Sequence, residues 1–429
     1  MSAPNTSTIA WHEITKRLGY VELFEHFADG AAERDVTRRL IHEEVAALKQ
    51  RRFGAVRLPQ ELGGQGISLP ELLWLIRDLA TADPNIAHIW RNHFITVERH
   101  LLTQEVPFSR TLIERVGNGK VLGVAFNEET NKAAGSVGRV PQTSMQWSEA
   151  QQGWLVSGVK IYSTGNIYSD YLFSVASNPD TGKVRQFFVS TDAPGITLDD
   201  DWDGFGQKLT GSGNTRFDNV LVREGELFDL PGRGNRNSLA LLSPNETEAS
   251  HRTTDTGFYY SATAQQIYLT TVISGIVNRV FADAVALVRK RTRNFYHGLA
   301  ELPSQEPQIQ AGIGRIAAYR SAVNAVTDRA IEALDQVWLE QDDSLAARKS
   351  MLATVAASEA KVVTDEVAAN LASLLIDLAS GSGVSATAAL DRHWRNIKVI
   401  ASHNPRLYKE QVLGDYYLNS ALPPTGAFF

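Results

Sequence analysis

The sequence predicts an α+β chain in three successive parts: a helical domain over residues 1–120, a β-barrel or β-sandwich domain over 121–230, and a C-terminal four-helix bundle domain over 231–429. Three observations predict it. Apolar residues recur at helical spacing in the first part, short runs of β-formers punctuated by Gly, Asn and Asp fill the second, and long Ala-, Val- and Leu-rich stretches fill the third. A length of 429 residues also exceeds one compact core.

In chain order, Ala32, Val36, Leu40, Val45 and Leu48 recur among charged residues and predict one amphipathic helix over 31–52. Helices are also predicted over 70–82 and 86–102, separated by Asp83-Pro84, which suits a turn and a new helix start. The β-rich segments 153–160, 171–175, 186–190 and 219–222 follow. The stretch 231–262 is rich in Gly, Asn, Ser and Thr and reads as a long loop. Beyond it, proline-free segments 264–293, 308–336 and 344–379 predict three long helices, and 386–403 a fourth.

Lys and Arg number 42 against 48 Asp and Glu, and the net charge of −6 disfavours a general nucleic-acid binder. The absence of cysteine excludes disulfides, thiolate metal sites and cysteine nucleophiles. The chain opens without a basic region followed by an apolar stretch and shows no uninterrupted apolar run of membrane-spanning length, so a soluble, cytoplasmic protein without a membrane partner is expected. The one Glu-x-x-His match, Glu248 to His251, falls in the predicted loop, so no metal is expected. Gly-x-Ser-x-Gly is absent, and the glycines at 63, 64 and 66 follow a helix, outside the strand-turn-helix setting of a dinucleotide fingerprint.

Several segments resemble the acyl-CoA dehydrogenases. These are Pro59-Gln60-Glu61-Leu62-Gly63-Gly64-Gln65-Gly66, Phe126-Asn127-Glu128, Lys160-Ile161-Tyr162-Ser163-Thr164-Gly165 and the glycine-rich run from Trp202 to Gly213. The resemblance implies that fold, with Asn127, Thr164 and Trp202 beside a flavin and Arg293 reaching its phosphate across a subunit interface. Arginine suits phosphate because its planar fork donates two parallel hydrogen bonds. The family's catalytic glutamate is missing: reading Arg395-Asn396 against its Arg-Asp places His403-Asn404 where its Tyr-Glu stands, and an uncharged amide cannot take an α-proton.

His88-Ile89-Trp90-Arg91-Asn92-His93, Arg392-x-Trp394-Arg395-Asn396 and His403-Asn404-Pro405 are similar to the signatures of dibenzothiophene monooxygenase and related two-component enzymes. That resemblance implies reduced FMN, with FAD less favoured, supplied by a separate NAD(P)H:flavin reductase. It further implies a C4a-hydroperoxide that oxygenates a small molecule such as an organosulfur compound, and a homotetramer. His88, His403 and Thr164 are the catalytic candidates, because imidazole titrates near ~6.5 and a hydroxyl can donate or accept. Arg392 is a further cofactor candidate, Trp202 and Asn92 are substrate candidates, and His93 and His393 are expected to be structural. Asn92 stands where those relatives carry a pocket tyrosine, which argues against dibenzothiophene itself. Three alternatives stay open: nitrogen hydroxylation, a flavin dehydrogenase using Glu248 or Glu410 as base, and a non-catalytic member of the fold.

Overall fold

The computed structural model describes residues 9–102, 104, 106–130, 140–228, 260–340 and 343–424. Among them, helices α1 (Glu13–Arg17), α2 (Val21–Thr37), α3 (His42–Gln50), α4 (Leu69–Ala82), α5 (Pro84–Leu101) and α6 (Pro107–Gly117) come first. Strands β1 (Leu122–Ala125), β2 (Ser144–Ser148), β3 (Gly153–Lys160), β4 (Tyr171–Ser177), β5 (Val184–Ser190), β6 (Ile196–Leu198), β7 (Thr215–Val222) and β8 (Leu227–Phe228) form one sheet. Its order is β6-β7-β3-β2-β4-β5-β8, with β1 parallel to β4. The helices α7 (Tyr260–Lys290), α8 (Pro307–Leu339), α9 (Asp343–Ala379), α10 (Asp391–Ala401) and α11 (Arg406–Asn419) close the chain.

The single helix expected over 31–52 is two. Arg38 ends α2 with φ of 55°, a left-handed geometry, and its guanidinium makes two 2.9 Å bonds to the Asp200 carboxylate of the sheet domain. Val36, assigned to the apolar stripe, is exposed, while Val45 and Leu48 of that stripe are buried, as are Phe24, Phe27 and Ile41. The segment expected as a fourth helix over 386–403 shortens to α10, since Ala389 adopts a left-handed φ of 46° just ahead of it. Residues 229–259 of the predicted loop lie outside the described residues, and the chain is helical from Tyr260. Helix α7 is long and apolar enough to cross a bilayer, contrary to the reading of its sequence; its most apolar window is 67% buried inside the protein, which accounts for that composition.

Helix α5 is the element on which the parts meet. Asp83 caps it by accepting from Asn85 N at 2.9 Å, Pro84 supplies a fixed φ at its first turn, and buried Arg34 holds the cap by donating to Asp83 at 2.9 Å. One side of α5 joins a core with Phe53, Trp90, Phe94 and Tyr268 that continues into α7–α9. Its other side, through Val97, packs with Ile113 and Val116 of α6 against Leu122, Phe173 and Phe188 of the sheet. His93 pins that contact: its Nε2–H donates to Gly54 O at 2.8 Å and its Nδ1 accepts from Leu122 N at 3.0 Å. His93 is therefore structural, as expected.

Candidate active site

Between α5, the ends of β3 and β7, and the turn after α10, the chain gathers residues far apart in sequence. His88 Nδ1 lies 2.9 Å from Gln207 Oε1, and Gln207 N donates to Asn396 Oδ1 at 2.7 Å. The Asn92 amide donates to Thr164 O at 3.1 Å. Thr164 Oγ1 is 2.8 Å from Ser212 Oγ, which is 2.7 Å from Thr210 Oγ1, and that hydroxyl donates to Gln207 O. His88, Asn92, Thr164 and, through Arg91, His403 thus share one hydrogen-bonded cluster. Tyr162 and Gln207 have φ of 54° and 51°, left-handed values that non-glycine residues adopt at a cost, and both border it.

The segment carrying Gln207 is seated on α10. A Cβ on Gly206 would overlap the carbonyl of Arg395, so only glycine lets the two backbones meet. Arg395 donates to Phe205 O at 3.1 Å and pairs with Asp35, while Trp394 stacks on Phe205 with centroids 6.0 Å apart. The Trp394-Arg395-Asn396 signature is thereby accounted for as a docking face.

The protonation states follow from burial. With Gln207 Oε1 accepting, His88 carries its proton on Nδ1 and turns an unpartnered, buried Nε2 lone pair into the cluster. Burial, with the Arg91 cation nearby, pushes His88 down to about 3. Arg91 Nη1 donates to His403 Nε2 at 3.0 Å, so the His403 N–H is at Nδ1, 2.8 Å from Asn404 Oδ1. Burial and then Arg91 also lower His403 to about 3. The amide of Asn404 donates to Gln266 Oε1 at 2.9 Å. At neutral pH both imidazoles are uncharged, which narrows the expected proton-control role to accepting and orienting.

Other expected site residues lie elsewhere. Arg392 is buried, and its guanidinium donates to Ala388 O and Ala389 O and to Asp283 at 3.2 Å. It is a clamp between α10 and α7, with three of its five N–H donors held by those partners. Burial would raise the Asp283 carboxyl, but Arg279, the His393 hydrogen bond and Arg392 outweigh it and hold that carboxyl well below the usual range. His393 is structural, as expected. Arg293 is exposed beyond the end of α7. Trp202 is half-buried at the rim, with its N–H donating to Gly206 O and its ring edge-on to Tyr162 at 6.2 Å. Asn127 is exposed, and its carbonyl accepts from Ile161 N at 2.8 Å. Glu128 is a buried staple, bonded to Thr143 and at 2.6 Å to Lys160. Glu410 pairs with Arg406 at 3.0 Å on half-exposed α11, which removes it as a base. Glu248 and His251 lie outside the described residues, and among those described no His/Cys/Asp/Glu group is arranged for a metal. Arg91, Gln207, Ser212 and Gln266 did not announce themselves in the sequence; the position of Arg91 between His88 and His93 on α5 was the one available signal.

A helical domain, one eight-stranded sheet and a closing set of long helices define the class. The middle-domain model of acyl-CoA dehydrogenase matches residues 128–220 and its C-terminal-domain model residues 267–405, and the chain belongs to the family of proteins built on the acyl-CoA dehydrogenase fold. Among curated relatives it is 26% identical over 405 residues to a probable FMNH2-dependent monooxygenase, SfnC, of Pseudomonas putida, covering 94% of each chain. It is 25% identical over 411 residues to dibenzothiophene monooxygenase of Mycolicibacterium goodii, again covering 94% of each. The fold is shared with methanesulfinate monooxygenase MsuC of Pseudomonas fluorescens (TM-score 0.81, 24% identity, 98% of this chain and 100% of that). It is also shared with TdsC of Paenibacillus sp. A11-2 in complex with FMN and indole (TM-score 0.83, 20% identity, 97% and 100%).

Proposed function

We propose that the protein is a two-component, FMNH2-dependent monooxygenase that oxygenates a small organosulfur compound. One observation carries this reading: where a dehydrogenase of this fold keeps its base, the chain has Asn404, an amide tied to Gln266 and His403. The relatives named for FMNH2-dependent oxygenation, aligned over nearly the whole chain, support it.

The residues present fit a flavin ring. His88 Nε2, Gln207 Nε2 and Ser163 Oγ are buried without a partner among the described residues, and a ring with alternating carbonyls and nitrogens satisfies such a set. Thr164, Ser163 and His88 would hold the ring, Asn127 and Trp202 would border it, and Arg293 would reach phosphate from a neighbouring copy. Reduced FMN, when bound, supplies electrons and activates dioxygen. The protein's part is to orient and to exclude water: His88 accepts at Nε2, and Arg91 and Asn404 fix the ring of His403. A separate NAD(P)H:flavin reductase supplies the reduced cofactor, and the protein works in the cytoplasm as a homotetramer. Exposed Phe295, Tyr296 and Leu299, with Leu407, Tyr408 and Leu418 on α11, offer surface for that association.

The test is to photoreduce the FMN-loaded protein without oxygen and then mix it with oxygen and a sulfur substrate, measuring product against released hydrogen peroxide. Product formation, with His403→Ala releasing several-fold more peroxide, supports the reading. Flavin reduction by an acyl-CoA in the absence of oxygen would refute it, and oxygen transfer only to amines would move it to nitrogen hydroxylation.

A further inference from the structure

Arg91 stands apart from the other buried arginines. Arg34 lies on Asp83 and Glu44, Arg57 on Glu98, Arg77 on Asp328 and Arg392 on Asp283. Arg91 is as deeply enclosed, at 7% exposure, yet no carboxylate among the described residues pairs with it. Its hydrogen-bond acceptors are neutral: Nη1 donates to His403 Nε2 at 3.0 Å and Nη2 to Asn92 Oδ1 at 3.3 Å, while Nε–H is buried without a partner. Among the described residues two of the five donors are thus used, which leaves Nε–H and one N–H on each terminal nitrogen for the oxygens of an anion. The groups around it add no negative charge: His88 and His403 are neutral, Tyr268 donates its hydroxyl to Ala87 O, and Gln266, Asn404 and Asn92 are amides. A buried cation without a counter-ion costs several kcal/mol, and an anionic ligand removes that cost.

Resting on the monooxygenase reading above, we propose that Arg91 is the receptor for the substrate's negative charge, and that the substrate is a small organic oxyanion of the sulfinate type. The guanidinium reads the charge while Asn92 holds it against the Thr164 segment, so Arg91 sets specificity. The same geometry explains why a polar Asn92 lies next to it: its carbonyl oxygen steadies the guanidinium, which a pocket-lining aromatic ring would not do.

Methanesulfinate and dimethyl sulfoxide are nearly the same size and differ by an O⁻ in place of a methyl, which makes them the probes. With full-length protein, FMN and a flavin reductase, product formation gives kcat and KM for each. Titration of the FMN complex, followed by flavin absorbance and by calorimetry, gives Kd without turnover. The wild type should bind the sulfinate at least tenfold more tightly than the sulfoxide. Arg91→Gln should weaken sulfinate binding in the titration about 10- to 100-fold, the worth of a charge-assisted pair, while the sulfoxide Kd moves by less than about threefold; kcat falls for both probes, because the same guanidinium holds His403. Arg91→Lys should restore part of the loss. Equal wild-type affinity for the two probes overturns the proposal without any variant. So does a variant that weakens FMN binding and leaves the probe preference intact, since the counter-ion is then the flavin. If neither probe is oxygenated but the sulfinate still binds through Arg91, the receptor stands and the monooxygenase reading fails.

Discussion

Acidification should unfold this protein through its buried histidines. His88, His93, His100 and His393 are all buried; His88 and His100 are pushed down to about 3 and His93 and His393 to about 4, in each case by burial first. Unfolded, each titrates near ~6.5, so between that pH and the folded value the unfolded chain binds the extra proton and stability falls with pH. From pH 7.5 to 5.5 each costs about 1.4 kcal/mol, and with His403, also lowered to about 3 by burial, the five together cost about 7 kcal/mol. Two other groups nearly cancel. Asp78, raised to about 6 by burial, takes up a proton in the fold and returns just under about 1 kcal/mol, while Lys409, lowered to about 7 by burial and then by Lys361, removes a similar amount. Carboxyls held low, such as Asp283, lose their contribution only below the ordinary carboxylate range and do not enter this window. For a chain of 429 residues the loss lowers Tm by roughly 8 °C. Calorimetry at constant ionic strength from pH 7.5 to 5.5 measures it. A flat Tm, or imidazole NMR signals titrating near 6.5 in the folded protein, would refute the reasoning.

Gly206→Ala should push the 205–207 backbone off α10 and break the Gln207 to Asn396 bond, costing about 1–3 kcal/mol and raising peroxide release; unchanged melting and coupling would show that the loop has slack. Arg392→Met should lower stability by about 2–4 kcal/mol, because Asp283 keeps only Arg279 and His393, and leave FMN affinity within about twofold. A tenfold loss of FMN affinity at unchanged Tm would return Arg392 to the cofactor site. Arg293→Ala should weaken FMN binding about tenfold without moving Tm, since the side chain is exposed; an unaltered Kd would remove it from the phosphate.

The elements legible in the sequence are those whose apolar period runs unbroken. The helices over 70–82 and 86–102 and the strand over 153–160 appear within a few residues of their predicted ends. Helix α11 escaped because it buries only Lys409 and so has no apolar stripe to read. The break at Arg38 escaped because its cause, Asp200, is 162 positions away. The site shows the same limit: His88 and His403 were legible as residue types, but their Gln207 and Arg91 partners stand 119 and 312 positions distant. The tie of Arg392 to Asp283 on α7 escaped for the same reason, since nothing in its neighbourhood in sequence announces it.

The contact of Gly206 with α10 bears on when the protein becomes competent during its synthesis. His88 leaves the ribosome early, yet its ring has no Gln207 to meet until the sheet segment has settled, and that segment has no seat until α10 near the C-terminal end has formed. Without α10 and the turn after it, the chain has neither His403 nor the seat that aligns Gln207 with His88. Flavin-binding competence should therefore await the docking of α10 on the sheet segment.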